Sequence, residues 1–533
     1  MTNHPEYDVV VAGYGLAGEC ATSLLARLGH RVCAFERYPN LYGLPRTVST
    51  DGEGTRILDK TADLEQALRS SSEIYSYEIV DVDRRPITAM TWSRDKVCGF
   101  HNRTSFYQPY VEEAMDKGAR AHGAEVNQGW EVTDAIQVGD MVEVTVREHA
   151  AVGEPELENP AERKLTTRYL IGADGARSNV RAAIGTEWEY FDYNDAWLSV
   201  DVLRKRTLEQ LDPHVATQII SPDKVIAAIP IGTDRIRFEF LLGGSPADHQ
   251  DLSEEAGYDF LQSAWGLGRD DVEIYRQVVY PFEGRMAKEW RQGPIFLVGD
   301  AAHLMPPFTG MGAVSAFRDS ANLAWKLDMV MSDRAPETLL ETYQVERGPN
   351  VLGYIQLGVE IGRMSTITDP DAAAARDEAL RAGGAPPPQE PEYDFGILEI
   401  VDGHPVRPAG LKEPQGLVRR DGQEGLYDDV VGWGFSLLLR GEDPAALLDD
   451  AQLAFLDRIG CNAVQLGRDE GASIAVELDD EYERFFAEHE IVGYIGRPDF
   501  RVFAGIRSAD DVPRLVDELE GHLMAGAVVA GGA

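Results

Sequence analysis

Gly13-Tyr14-Gly15-Leu16-Ala17-Gly18 constrains this chain more than any other stretch. An apolar run, Val9-Val10-Val11, precedes it, and an apolar-periodic segment through Leu24, Leu25 and Leu28 follows. A second apolar run, Val32 to Phe35, then ends at Glu36. Strand, tight glycine turn, helix, strand and acid is the order that a dinucleotide site requires. Gly13 permits the sharp turn, Gly15 lets the backbone approach a pyrophosphate, and Gly18 lets the helix pack close to the strand. Leu16 and Ala17 open the helix, whose free N–H groups and partial positive charge attract phosphate. Glu36, roughly 20 residues beyond the glycines, can accept hydrogen bonds from ribose hydroxyls.

At 533 residues the chain is long enough for several domains. Fifty basic against 90 acidic residues give a formal net charge of −40. That balance argues against nucleic acid and anionic membranes as partners, since both are polyanions. Cys20, Cys33, Cys98 and Cys461 lie far apart with no CxxC spacing. Such spacing fits a reducing cytoplasm, with no disulfide framework and no metal site. Met1 to Asp8 is polar and leaves no room for a signal peptide, and no uncharged apolar run reaches membrane-spanning length. The small apolar tail, Met524 to Ala533, reads as a frayed end.

The chain divides by texture. Residues 1–73, 101–189 and 286–368 read as a discontinuous nucleotide-binding domain of α/β class. It includes a helical pattern through Ile57, Leu58 and Leu64 and a helix opening at Tyr107-Gln108-Pro109, where proline suits the first turn. Val132 to Ile136 and Met141 to Arg147 read as a strand pair around Gly139-Asp140. Residues 74–100 and 190–285 are rich in short alternating runs and read as an inserted antiparallel sheet that forms a substrate domain. Residues 369–400 read as a linker, helical in its first half and Pro/Gly-rich in its second. In 401–533 strands alternate with helices, including one around Asp443 to Arg458, as in a small α/β domain.

Two further motifs stand out. Asp174-Gly175-Ala176-Arg177-Ser178 closes an apolar strand with a tight turn. Gly299-Asp300-Ala301-Ala302-His303 ends another strand and continues through Pro306-Pro307-Phe308-Thr309-Gly310-Met311-Gly312 into a long helix through Phe317, Leu323, Trp325 and Leu327. The N-terminus of that helix points at a phosphate or a ring carbonyl. His303 reads as a loop pin rather than a catalytic group.

Together the three motifs resemble the single-component FAD-dependent aromatic hydroxylases, the group of para-hydroxybenzoate hydroxylase and phenol hydroxylase. Leu44-Pro45-Arg46, the Gln108 helix start and the C-terminal segment look most like the 3-(3-hydroxyphenyl)propionate hydroxylases and the hydroxylases that tailor aromatic polyketides. The resemblance implies a Rossmann-like FAD-binding domain, an inserted β-sheet substrate domain and a thioredoxin-like C-terminal domain. It implies that Gly13, Gly15, Leu16, Ala17 and Gly18 hold the FAD pyrophosphate. Glu36, with Arg37 beside it, takes the adenosine ribose. Arg46 and Gln108 reach the pyrophosphate and ribityl region, and Val132 offers its backbone to the adenine. Asp174 supports both FAD and the nicotinamide donor, and Asp300 binds the ribityl chain. Pro306, Gly310, Met311 and Gly312 line the flavin ring, with Pro307 at its reacting face. Phe238 and Phe240 are candidates for the substrate wall.

The implied reaction uses NADPH or NADH to reduce FAD. A C4a-hydroperoxide of the flavin then hydroxylates an electron-rich ring, such as a phenol, a hydroxypyridine or an aromatic polyketide, with O₂. Some relatives place a histidine two residues after the arginine of the Pro-Arg loop, where this chain has Val48. The catalytic base is therefore open, with His101, Asp51, His214 and Tyr190 as candidates by residue type and domain alone. Met311 and Val314 stand where relatives often carry Gln or Lys and Asn, so ring contacts there fall to backbone N–H groups. The thioredoxin-like domain lacks a CxxC, and the lone Cys461 points to a structural or oligomerisation role rather than a redox one. A Baeyer–Villiger or epoxidising oxygenase and a non-oxygenating flavoprotein remain alternatives on the same fold. A homodimer is the default assembly.

Overall fold

The computed structural model describes residues 5–151, 154–155, 157–249, 252–383, 390–467 and 474–525. The Pro386–Pro388 run and the tail from 526 to 533 lie outside the described residues. The strand Tyr7–Ala12 sits inside an eight-stranded sheet, parallel to Val32–Glu36 on one side and to Glu162–Gly172 on the other. Val9 to Ala12 are fully buried. An unbroken apolar run marks a parallel strand covered on both faces. The helices Leu16–Arg27 and Gly312–Met331 pack together beside it. The strands Trp130–Val138 and Met141–Glu148 form an antiparallel hairpin on Glu162–Gly172.

The second sheet also has eight strands. Its order is His303–Leu304, Val272–Ala287, Trp188–Arg204, Arg235–Leu241, Lys224–Ile231, Val215–Ser221, Ser76–Val80 and Pro86–Thr91. Segments far apart in sequence, near 76–91 and 188–287, thus share one sheet. All its pairs are antiparallel except Val215–Ser221 with Ser76–Val80. The short strand His303–Leu304 ties this sheet to the Gly299–Gly312 segment.

Where one helix through Leu64 is expected, two form, Gly52–Thr61 and Leu64–Ala67. Asp51 and Asp63 cap them by accepting from Gly54 N and Gln66 N. Each cap supplies a carboxylate to otherwise unpaired N–H groups, so two starts replace one. The 24-residue helix Thr342–Ser365 carries Pro349 inside it and little amphipathic signal, which hides it from periodicity.

The C-terminal sheet has seven strands in the order Gln423–Leu426, Leu417–Arg420, Ile474–Glu477, Asn462–Gly467, Ser436–Arg440, Gly493–Gly496 and Val502–Ile506. The expected helix from Asp443 divides into a single turn, Pro444–Leu447, and a helix, Asp450–Ile459, that Asp449 and Gln452 start with a capping box. Gly493–Gly496 escapes sequence reading because of its terminal glycines. A Cβ at Gly493 would lie 2.2 Å from Leu438 O, so the strand is built without side chains there.

The stretch 390–400, read as linker, is fastened down. Glu390 pairs with Lys412 at 2.8 Å, Glu392 pairs with Arg501 at 2.6 Å, and Tyr393 is buried. Buried ion pairs also join the C-terminal sheet to the rest: Arg501 with Glu53 and Arg497 with Glu346, both at 2.7 Å. Arg56 reaches Asp428 at 2.7 Å in the same way.

Candidate active site

One cavity of about 1100 Å³ runs from the glycine turn to the second sheet. At its first end, Gly13 adopts φ +89°, and a Cβ there would lie 2.5 Å from Ala173 O. Gly18 is packed harder still, with a Cβ position 2.0 Å from Gly13 O. Nothing lies within 4 Å of a Cβ at Gly15, so that face is open to the cavity. No side chain caps the helix Leu16–Arg27, whose N-terminus opens there. Glu36 accepts from Tyr14 N at 2.8 Å and Tyr38 N at 3.1 Å, which fixes its carboxylate at the strand end.

Gln108 Oε1 accepts from Arg46 N at 2.7 Å and Thr47 N at 2.9 Å, and its amide donates to Glu112. Gln108 thus holds the Pro-Arg loop by its backbone. Asp174 accepts from the Ser178 hydroxyl and from Val180 N, so its carboxylate builds the Asp-Gly turn. Val132 O already accepts from Asn179. Asp300 faces the cavity. Protein walls push its carboxyl up, with Arg46 and His303 opposing. His303 is buried and bonded to Asp319 at 2.6 Å, and Asp319 also holds Gly299 N and Arg347. It pins the loop.

The mid-cavity loop Pro307–Gly312 runs into the helix Gly312–Met331, whose N-terminus also lacks a side-chain cap. Met311 and Val314 are buried. Gly13, Gly15, Leu16, Ala17, Glu36, Arg37, Arg46, Gln108, Val132, Asp174, Asp300, Pro307, Gly310, Met311 and Gly312 all line this one cavity. Gly18 supports it from behind, and Pro306 sits against Gly358.

The far end is built by alternation along two strands. In Arg235–Leu241, Arg237 and Glu239 face the cavity, and in Val272–Ala287, Arg276, Val278, Tyr280 and Phe282 do. Phe238 and Phe240 therefore point the other way, into a separate core with Trp265 and Phe260. This corrects their expected place in the substrate wall, because strand side chains alternate faces. Asp201 binds Arg237 at 2.7 Å and Arg276 at 3.2 Å, and Arg237 also donates to Pro45 O and Arg46 O. Tyr280 donates to Glu239 at 3.1 Å. Burial pushes the Glu239 carboxyl up, against Arg237 and Tyr280.

None of the four candidate bases lines the cavity. Asp51 is a buried cap paired with Arg318 at 2.7 Å and Lys412 at 3.2 Å, and those charges hold it well below the usual carboxylate range. His214 bonds Glu73 O and stacks on Tyr75. His101 is exposed beside Glu73, and Tyr190 is 69% exposed. Sequence reasoning passed over Arg237, Glu239, Arg276 and Tyr280. The signal was the period-two pattern Arg235-Ile236-Arg237-Phe238-Glu239, which puts charge on one face.

The chain matches a family model described as FAD binding domain over residues 6–356, and a second, HcaD C-terminal domain, over 410–522. It is 30% identical over 518 residues to a probable NADH-specific resorcinol 4-hydroxylase of Rhodococcus jostii (strain RHA1), covering 96% of this chain and 94% of that one. It is 32% identical over 463 residues to a 3-(3-hydroxy-phenyl)propionate/3-hydroxycinnamic acid hydroxylase of Mycobacterium sp. (strain JLS), covering 83% and 77%. The chain belongs to the FAD-dependent aromatic hydroxylases. Among solved structures it resembles aklavinone-11 hydroxylase with FAD and aklavinone, with TM-score 0.76, 22% identity and coverage of 98% and 100%. That likeness extends the common fold over nearly all of both chains.

FAD fits the residues of this hydroxylase. Two uncapped helix N-termini open on one cavity, and the face of Gly15 is clear where a pyrophosphate needs close approach. The first carries donors for phosphate. The second, at Gly312, has backbone N–H groups that would face a flavin carbonyl edge, beside the apolar Met311 and Val314. Among the described residues no cluster of His, Cys, Asp and Glu could hold a metal. No helix of the described residues is long and apolar enough to cross a membrane.

Proposed function

We propose that this monooxygenase hydroxylates a phenolic ring held in the far end of the cavity, with Glu239 taking the proton of the substrate hydroxyl. The Glu239–Tyr280 pair carries this reading: it is a buried carboxylate with a phenol partner, on the wall of the same cavity as Pro307–Gly312. Ionised Glu239 accepts the hydroxyl proton, the ring oxygen gains electron density, and the ring becomes a better nucleophile. Tyr280 donates to the carboxylate and holds its orientation. Phe282 and Phe308 meet edge to face on the cavity wall, with Trp197 stacked on Phe282 behind it, and this apolar wall excludes water and positions a flat ring. FAD held at the two helix N-termini would supply the redox chemistry of the reaction, with a nicotinamide donor and O₂. The Rhodococcus relative supports NADH as that donor.

The remaining parts of the reading concern assembly. The parallel strands Ser436–Arg440, Asn462–Gly467 and Ile474–Glu477, with the antiparallel pair Gly493–Gly496 and Val502–Ile506 alongside, support a thioredoxin-like C-terminal domain. Cys20, Cys33, Cys98 and Cys461 are all free, which fits a structural role and a reducing cytoplasm. The domain limits 73/74, 100/101, 189/190, 285/286, 368/369 and 400/401, and a homodimer, belong to the same proposal.

The test is NADH oxidation by FAD-loaded protein with a panel of phenols, recording product masses. Substrate-stimulated oxidation with a gain of one oxygen on the ring is expected. A ketone converted to an ester, or NADH consumption that yields only peroxide across the panel, overturns the phenol reading.

A further inference from the structure

Arg103 is a buried arginine that forms no ion pair with any carboxylate among the described residues. It stands in the short strand Arg103–Ser105, is 7% exposed, and lines the cavity. Its Nη1 donates to Met311 Sδ at 3.3 Å and lies 3.8 Å from where a Cβ on Gly310 would be. Its guanidinium lies 5.2 Å from the centre of the Trp92 ring. A thioether is a weak acceptor and leaves most of a guanidinium unsatisfied.

The contrast with the other buried arginines is direct. Arg56, Arg237, Arg318, Arg347, Arg376, Arg497 and Arg501 each form an ion pair with a carboxylate. Among the described residues, Arg103 alone of the buried arginines forms none. Its partner in strand register is Asp51, whose oxygens are already taken: Oδ1 by Gly54 N, Oδ2 by Arg318 and Lys412. Arg103 therefore acts on Asp51 only through space, and its guanidinium opens on the cavity with donors that an anion bound there would pair.

We propose that Arg103 anchors a carboxylate of the substrate, so that the substrate is a hydroxyaryl acid rather than a neutral phenol. This rests on the hydroxylase reading and deepens it. The position favours substrate over cofactor phosphate. Arg103 lies against Trp92, at the end of the strand Pro86–Thr91 of the second sheet, and against the Gly310-Met311 loop. The glycine turn that suits phosphate has its own donors. A guanidinium presents a planar fork that matches a carboxylate with two parallel hydrogen bonds. The chamber would then read two groups: the hydroxyl at Glu239 and the acid at Arg103. Of the relatives, the hydroxyphenylpropionate enzymes are named for such an acid, whereas resorcinol carries none.

The experiment titrates FAD-loaded protein with 3-(3-hydroxyphenyl)propionate and with its primary amide, reading the perturbation of the flavin absorbance. Wild type is expected to bind the acid about 10–100-fold more tightly than the amide, the range for a hydrogen bond to a charged group. Arg103→Met removes that preference and leaves amide binding unchanged, and Arg103→Lys restores part of it. The flavin midpoint potential stays the same in all three proteins. Equal binding of acid and amide by wild type overturns the proposal, and needs no variant to fold. Equal weakening of both ligands in Arg103→Met, with a shifted potential, also overturns it and assigns the guanidinium to the flavin. Selective binding of the acid without oxygen insertion leaves the anchor standing and removes the hydroxylase reading instead.

Discussion

Tyr280 donates its phenolic hydrogen to Glu239 at 3.1 Å across an intervening strand, where Ser199 stands in register with Glu239. The small side chain of Ser199 leaves room for the two larger groups to meet. If Glu239 is the base, activity rises with pH as its carboxyl ionises, through a value raised above the ordinary range by burial. Glu239→Gln is expected to lower turnover by about 100-fold or more and to abolish that acidic limb. Tyr280 holds the carboxyl down, so Tyr280→Phe shifts the limb to higher pH with a smaller loss. A pH profile of kcat/KM checks both. An unchanged limb in Glu239→Gln removes this residue from the proton transfer.

Two glycines of one turn predict opposite failures. Gly15 has φ −92° and open space at its Cβ, so Gly15→Val costs the apoprotein little, within about 0.5 kcal/mol. Its side chain then occupies the path of the pyrophosphate, and FAD loading is lost. A Cβ at Gly18 would meet Gly13 O at 2.0 Å, and backbone cannot yield as a side chain does. Gly18→Ala is expected to destabilise the apoprotein itself by about 1–3 kcal/mol or more. Thermal melts with and without FAD separate the two effects.

The cofactor end was legible because its signals are local. Gly13, Gly15 and Glu36 act through backbone conformation and strand ends, which sequence order specifies. Asp174 was legible as a turn residue for the same reason, and its carboxylate does bond within its own turn. The substrate end was not, because its chemistry is assembled across strands. Glu239 meets Tyr280 41 residues on. Phe238 and Phe240 look like pocket residues by type, yet strand parity sends them to the opposite core. Asp51 looks like a free acid until Arg318 and Lys412, far along the chain, arrive to pair with it. Arg103 carried no sequence signal, since only packing reveals which arginine lacks a partner.

Glu112 supplies a pH test of the cofactor end. Burial pushes its carboxyl up to about 7, with Gln108 and Arg46 opposing. A carboxyl raised on folding contributes stability below its unfolded value, and that contribution is lost as pH rises through about 7. Glu112→Gln mimics the protonated form and can still accept from Gln108. It should match wild type near pH 5 and exceed it near pH 8 by up to about 3 kcal/mol, at about 1.4 kcal/mol per pH unit. Apoprotein melts at the two pH values read this directly. Parallel curves would mean the carboxyl is not held neutral.

The joint between the C-terminal sheet and the long helix Thr342–Ser365 predicts the reverse pH dependence. Arg497 and Lys326 each hold Glu346 at 2.7 Å, and these charges pull its carboxyl down to about 2. A carboxyl lowered on folding contributes stability above its unfolded value, and loses it as pH falls toward about 2. Arg497→Met leaves Glu346 with Lys326 as its one remaining cation and takes the ion-pair partner from buried Asp499, and is expected to cost about 3–5 kcal/mol near pH 7. The exposed pair Arg120–Asp116, by contrast, should cost only about 0.3–0.5 kcal/mol when Arg120 is replaced by Ala. Removing Arg497 also raises the Glu346 carboxyl toward its ordinary value, so the part of the acid limb that it contributes shrinks. Denaturant melts at pH 7 and pH 3 check both parts: the penalty of Arg497→Met should be larger at pH 7. A penalty equal at the two values would mean the joint is held by packing rather than by charge.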